Sequence, residues 1–492
     1  MNHIYRLVWN TKRHMLMAVA EVGNAQGKEG GKTGAIRVGD ESAEPFRGVR
    51  KALVAAVAAL FPLVSFAQVS YYPDVIAHGE SVTLTDSDVP EYEGMRLRND
   101  GQFDVRPTTV DTHLASLSGS GAVLLGTSDL ILTNANDSFS GVIRGNGGLS
   151  LAGFEVLSGA NTFTGATSVA EWSTLTLSGS GAIAASSGLV NNGTFNIAAT
   201  NNGADVQSLS GSGAVLLGGQ TLTLTNASGD FAGVIQGNGG LNVAGGNEVL
   251  SGVNTYTGAT NVAQWSALEL SGSGSIAASS GLVNNGTFDI AGTNKGAEVQ
   301  SLSGSGAVLL GGQTLTLTNA GGEFAGVIQG NGGLNIAGGN EVLSGVNTYT
   351  GATNVAQWST LELSGSGSIA ASSGLVNNGT FDIAGTNKGA EVQSLSGSGA
   401  VLLGGQTLTL TNASGEFAGV VQGNGGLNIA GGNEVLSGAN TYTGATSVAE
   451  WSTLTLSGSG AIAASSGLVN NGTFDIAGTN KGAEGLCCVN QV

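Results

Sequence analysis

The stretch LSGSGAVLLGGQTLTLTNASGDFAGVIQGNGGLNVAGGNEVLSGVNTYTGATNVAQWSALELSGSGSIAASSGLVNNGTFDIAGTNKGAEVQS, Leu209 to Ser301, decides the fold, because it recurs almost unchanged from Leu302 to Ser394. The two copies differ at four positions, Ser228/Gly321, Asp230/Glu323, Val243/Ile336 and Ala267/Thr360, and each swap keeps charge or approximate size. Outward from this pair, LSGSG also begins at Leu117 and Leu395, and Trp172, Trp265, Trp358 and Trp451 follow one another at a constant spacing of 93. A fixed long period is the mark of a repeat architecture. The first unit is one residue short: AGF at Ala152–Phe154 stands where the second has AGGN at Ala244–Asn247. A Gly-Asn site that accepts a deletion behaves as a turn.

Inside one unit, short segments alternate apolar and polar residues: TLTLT (Thr221–Thr225), LNV (Leu241–Val243), ALEL (Ala267–Leu270) and TFDI (Thr287–Ile290). Period two predicts strands with an apolar face inward and Thr, Glu or Asp outward. Gly, Asn and Ser fill the gaps, and helix signals are absent from the array. Strands at such spacing also suit a sandwich or a barrel, but near-identical tandem units favour stacking, in which each unit buries its open edge against the next. The expected fold is all-β, a right-handed parallel β-helix. With roughly 20–30 residues per coil, a unit makes three or four coils, and residues 117–484 make a rod on the order of 60–90 Å at ~4.8 Å per coil. The units run 117–208, 209–301, 302–394 and 395–484. Residues 68–116, which hold Pro73, Pro90, Pro107 and both histidines outside the leader, suit an N-terminal cap that keeps an exposed coil from pairing edge to edge. A small binding subdomain is the alternative for that segment.

Composition narrows the function classes. Of 492 residues, 84 are Gly and only 10% are charged, which is unlike an average enzyme. The apolar fraction of 41%, with alternating Leu, Val and Ile, argues against disorder. Collagen is excluded because no Gly-X-Y period runs through the chain. After Ala67 the chain holds 7 basic and 29 acidic residues, so it lacks the cations needed to neutralise phosphates, and no nucleic-acid partner is expected.

The first 67 residues read as an export address. ALVAAVAALFPLV (Ala52–Val64) follows Arg47, Arg50 and Lys51 and precedes Ser65-Phe66-Ala67, the order of a secretory signal cut between Ala67 and Gln68. Thirteen apolar residues are too few to span a bilayer comfortably. Upstream lie MNHIYRLVWN (Met1–Asn10), Lys12-Arg13 and MLMAVAEV ending at Val22. With Met1, Asn2, Tyr5, Arg6, Trp9, Asn10 and Glu21 at the matching places, this leader resembles the extended signal peptide region of Gram-negative type V secretion. LSGVNTYTG (Leu250–Gly258), LSGANTYTG (Leu436–Gly444) and LVNNGTFDIAGT (Leu282–Thr293) resemble the autotransporter-associated β-strand repeats of passenger domains. The two resemblances together imply an exported surface protein, Sec machinery reached through the leader, and an outer-membrane translocator barrel as partner. No barrel sequence occurs in residues 1–492, and LCCVNQV departs from the repeat after Glu484. Residues 485–492 are therefore read as a divergent tail at a truncation or frame discontinuity, which would leave the chain as written in the periplasm.

Chemistry-bearing patterns are few. GGKTG (Gly30–Gly34) has Gln26 where a phosphate loop needs Gly. GGLNVAGGN (Gly239–Asn247) lacks the carboxylate of a calcium-binding nonapeptide. The histidines are His3, His14, His78 and His113, none of them in the repeats, so no Ser-His-Asp triad can form there. His78 and His113 lack metal-ligand spacing, and adjacent Cys487 and Cys488 rarely close a relaxed disulfide. The Asp and Glu residues, five in 302–394, read as solvated outward positions. No catalytic residue, cofactor or metal is expected. The four Trp carry two readings. On an unbroken strand, Trp265 has the parity of Ala267 and Glu269 and points out, so the indoles form a column that stacks on sugars or a host surface. With a turn near Gln264, they pack over a corner instead.

These readings lead to a non-enzymatic passenger at the cell surface or outside the cell, acting as a stalk for adhesion to a host surface or glycan, or for self-association. The alternatives are an inert scaffold for a missing effector and, least favoured, a polysaccharide-acting β-helix enzyme, which needs clustered carboxylates.

Overall fold

The computed structural model describes residues 5–10, 15–20 and 74–480 and forms two units, Met1–Ser70 and Tyr71–Val492. In the first unit, Tyr5–Asn10 pairs antiparallel with Met15–Ala20. The signal core, the Ala67–Gln68 cleavage position and Cys487–Cys488 lie outside the described residues.

The second unit is a parallel β-solenoid of about 20 turns. Its pairings are parallel throughout the described residues, and each strand meets the one a coil further on: Leu222 pairs Leu241, Leu241 pairs Thr260, Thr260 pairs Leu282, and Leu282 pairs Leu302. Alternation does the sorting, because the inward residues stack in columns that are almost wholly buried. Thr260 interrupts its leucine column, and its hydroxyl is satisfied by Tyr256 Oη at 2.6 Å and Ser279 Oγ at 2.9 Å. At one corner the buried Asn254 accepts from the Ile235 amide at 2.9 Å and donates to the Gly252 and Ser275 carbonyls at 3.1 Å, tying three coils together.

Coils are shorter than the upper part of the expected range. Ala297 to Leu315 takes 18 residues and Thr353 to Leu375 takes 22. At about 20 residues per coil, the 93-residue repeat is about four and two-thirds coils, a rise of about 22 Å at ~4.8 Å each. This corrects the expected three or four coils. The fraction matters because the cross-section has three faces: Leu315–Leu317, Glu323–Phe324 and Val327–Gln329 follow one another in three different ladders. The ladder through Leu282 and Leu302 continues, by the Gly304–Phe324 bridge, into the one through Leu343 and Leu363. Phe231, the counterpart of Phe324 one repeat earlier, belongs to a different ladder, with Leu250 and Leu270. Each repeat therefore moves a given sequence position onto the next face, and three repeats bring it back.

Residues 74–116, the described part of the segment 68–116, wind into coils at the N-terminal end of the same solenoid. Val75–Ile76, Met95–Asn99 and Thr112–Ser118 stack in order onto Leu130–Phe139. A single helical turn, Val89–Tyr92, buries Val89 and Tyr92, and the Tyr92 ring lies 5.4 Å from that of Phe103. Arg96–Asp137, Arg98–Asp100 and Arg106–Asp104 form ion pairs along this end.

Candidate functional site

Trp172, Trp265, Trp358 and Trp451 each occupy the third position of a tight turn between two strands. In the second repeat the turn is closed by the Ser266 amide donating to the Ala263 carbonyl at 3.1 Å, and the other three turns are closed the same way. In a turn of the type II class the third position takes a positive φ, which Gly meets most easily. Here φ is 62°, 69°, 66° and 65°, and among the described residues these four are the only non-glycine residues with positive φ. An L-residue held there carries roughly 1–2 kcal/mol of strain.

The indoles have nothing to pack against, with exposures of 86%, 90%, 89% and 89%. The neighbouring coils explain this. Above Trp265 the corner passes through Gly286, where a Cβ would overlap the Ser266 and Ala263 carbonyl oxygens, and below it lie Gly245 and Gly246. Small residues on both sides leave the ring uncovered. The turn near Gln264 thus exists, but it does not fold the indole over the corner; it projects it. Nor do the four indoles form a column. Because the repeat advances by a fraction of a coil, Trp265 and Trp358 stand on two different corners, and Trp172 and Trp451 share the third.

Around Trp265 a shallow depression is lined by Asn247, Gln264, Ser266, Asn285 and Thr287, with Gly246, Gly286 and Ala267, and no charged residue. The fourth repeat places Glu450 in the turn instead of Gln264. The first places Glu171 there and, through its deletion, Phe154 in register with Asn247, with Phe154 59% exposed. The strained conformation yields a stability prediction. Trp265→Gly is expected to leave the thermal midpoint unchanged or raise it, by up to about 1 kcal/mol of stability, because Gly adopts positive φ without strain. A clear fall in the midpoint on thermal denaturation would show that the indole holds the fold.

A second feature was missed by sequence reasoning. Glu155, Glu248, Glu341 and Glu434 do not occupy the solvated outward positions expected of them: they are buried to 1% exposure or less inside the solenoid. Glu248 shares the parity of Leu250, which was the available signal; Asn247 and Val249 take the other face. It stacks between Gly229 and Leu268, and the missing side chain at Gly229 leaves room for the carboxyl. Among the described residues no cation pairs with these groups, and no carboxylate oxygen has a well-formed hydrogen bond. Burial pushes all four carboxyls up to about 8; the Gly229 and Leu209 amides partly oppose this at Glu248, and Asp137 adds to it at Glu155. Below about pH 8 burial favours their neutral form, and their place inside the apolar stack gives no access for a substrate.

His78 is exposed and His113 half-buried, and among the described residues no three His, Cys, Asp or Glu side chains gather as a metal site. No helix among the described residues is long and apolar enough to cross a membrane.

A long parallel solenoid behind an export leader is the build of a secreted passenger domain. Residues 1–41 match the extended signal peptide of the type V secretion system. With that leader and this solenoid, the chain fits an autotransporter passenger, exported through Sec and dependent on an outer-membrane translocator. Neither the curated proteins nor the solved structures provide a match to the chain.

Proposed function

We propose that this passenger is a non-enzymatic stalk that mediates adhesion or cell–cell association at the cell surface. The observation that carries this reading is the set of four outward indoles, each held in a backbone conformation that costs stability and none contributing to the core. Local strain kept where packing gains nothing points to a surface that meets something else. The first repeat supports the point, since it has diverged at its deletion site and still carries Trp172.

The test displays the full chain with a matched translocator on cells and scores settling in suspension and retention on host-cell monolayers. Displaying cells are expected to settle or adhere, and a chain with all four Trp→Gly substitutions, displayed at equal density, is expected to lose most of the effect. Settling and adhesion equal to those of undisplayed cells would leave a bare scaffold.

A further inference from the structure

The Trp turns also indicate what kind of partner they meet, an inference that rests on the adhesion reading. The depression around Trp265 combines one flat aromatic face with amides and hydroxyls and contains no charged group. An exposed indole offers a face for the C–H side of a sugar ring, and Asn, Gln, Ser and Thr supply donors and acceptors for its hydroxyls. The rest of the surface argues against charged ligands. With 7 basic against 29 acidic residues after Ala67, the body repels polyanions. A cationic ligand would need a carboxylate beside every ring; Glu171 and Glu450 stand there in the first and fourth repeats, but the second and third carry Gln264 and Gln357, so what the four turns share is the indole and not a charge.

The placement adds a second constraint. Successive Trp are about 22 Å apart along the axis and a third of a turn apart around it, and Trp172 and Trp451 share a corner at a separation of about 65–70 Å. A flat, rigid surface can therefore touch two of the four at most, whereas flexible strands surrounding the rod can reach all of them.

We propose that each Trp turn is a subsite for a neutral polysaccharide, with the indole stacked on a sugar ring, and that the one-third-turn phase of the repeats makes one passenger a cross-linker of several glycan strands. The subsites are individually weak, and multivalency supplies the retention.

The full chain contains five Trp, so the variant Trp9→Phe leaves the four corner indoles as the only Trp fluorophores. This chain is titrated with a neutral β-glucan, a neutral α-glucan and a neutral mannan, with hyaluronate as the anionic comparison, reading emission, mobility in glycan-containing native gels, and light scattering. At least one neutral polymer is expected to blue-shift the emission and retard the chain, and hyaluronate is expected to do neither. Replacing all four residues by Gly is expected to weaken retardation roughly tenfold or more, while Trp→Tyr keeps part of it. A chain keeping only Trp265 is expected to bind without the rise in scattering that cross-linking gives.

Unchanged emission with all three neutral polymers, or equal retardation of the four-Gly chain, overturns the sugar assignment. Equal scattering from the single-Trp chain overturns the cross-linking. The two levels separate cleanly. If displaying cells aggregate through the Trp residues but no glycan shifts emission, the partner is a protein or a second copy and the adhesion reading stands alone. If glycans bind but displaying cells neither settle nor adhere, the adhesion reading fails and the sugar site stands.

Discussion

Raising the pH from 4.5 to about 8 is expected to destabilise the solenoid continuously, in the opposite sense to a protein held together by ion pairs. Each buried glutamate keeps its proton in the folded state up to about pH 8 but releases it near pH 4.5 when unfolded. Across that window the unfolded chain binds fewer protons than the folded one, so stability is fully present below the unfolded value, falls as pH rises, and levels off above the folded value. The slope is about 1.4 kcal/mol per pH unit per group, so each carboxyl costs roughly 4–5 kcal/mol at the upper plateau. The N-terminal coils carry a smaller opposite effect at the acid end. There the Arg106 guanidinium holds the Asp104 carboxyl below its usual 3.8, and that contribution is lost only as pH falls below this value. Maximal stability is therefore expected near pH 4–5. Urea melts followed by circular dichroism at pH 4.5, 6 and 8 measure the effect. Replacing Glu155, Glu248, Glu341 and Glu434 by Gln is expected to flatten the profile between pH 5 and 8. A wild-type midpoint that is the same at pH 4.5 and pH 8 would mean that these carboxyls are hydrated or paired in solution.

The second large effect is expected at the corner column Gly286, Gly306, Gly326 and Gly345. A Cβ on Gly326 would overlap the carbonyl oxygen of Gly306 in the coil below and lie 2.5 Å from Phe324 Cζ, so the side chain cannot enter without separating two coils. Gly326→Val is expected to destabilise by roughly 4 kcal/mol or more, since neither backbone nor a packed ring can yield. Gly312, with nothing within 4 Å of its Cβ direction, is the control, and Gly312→Ala is expected to stay within about 0.5 kcal/mol of wild type. Because repeats contact chiefly their neighbours, hydrogen exchange should locate the damage in the coils flanking Gly326 and spare those near Leu130. Equal melts for the two variants would mean that the coils are not in close contact at this corner.

The Gly-rich composition takes its meaning from this geometry. In TLTLT and LNV the alternation already specifies strands with one dry face, and the 93-residue period already specifies stacking. The same alternation carried the buried position of Glu248, two residues before Leu250. It went unread because a carboxylate is ordinarily solvated, and only the gap above Gly229 makes room for a neutral one.

The export leader, the repeat, the strand faces and the absence of histidine from the array are legible in the residues alone, because they are properties of local pattern and residue identity. Tertiary structure alone decided the length of a coil, the outward projection of the Trp turns between glycine corners, and their spread over three corners instead of one column. The reason is physical: which residue stacks on which is fixed by parallel ladders closing about 20 residues apart, and a 93-residue period is not a whole number of such coils.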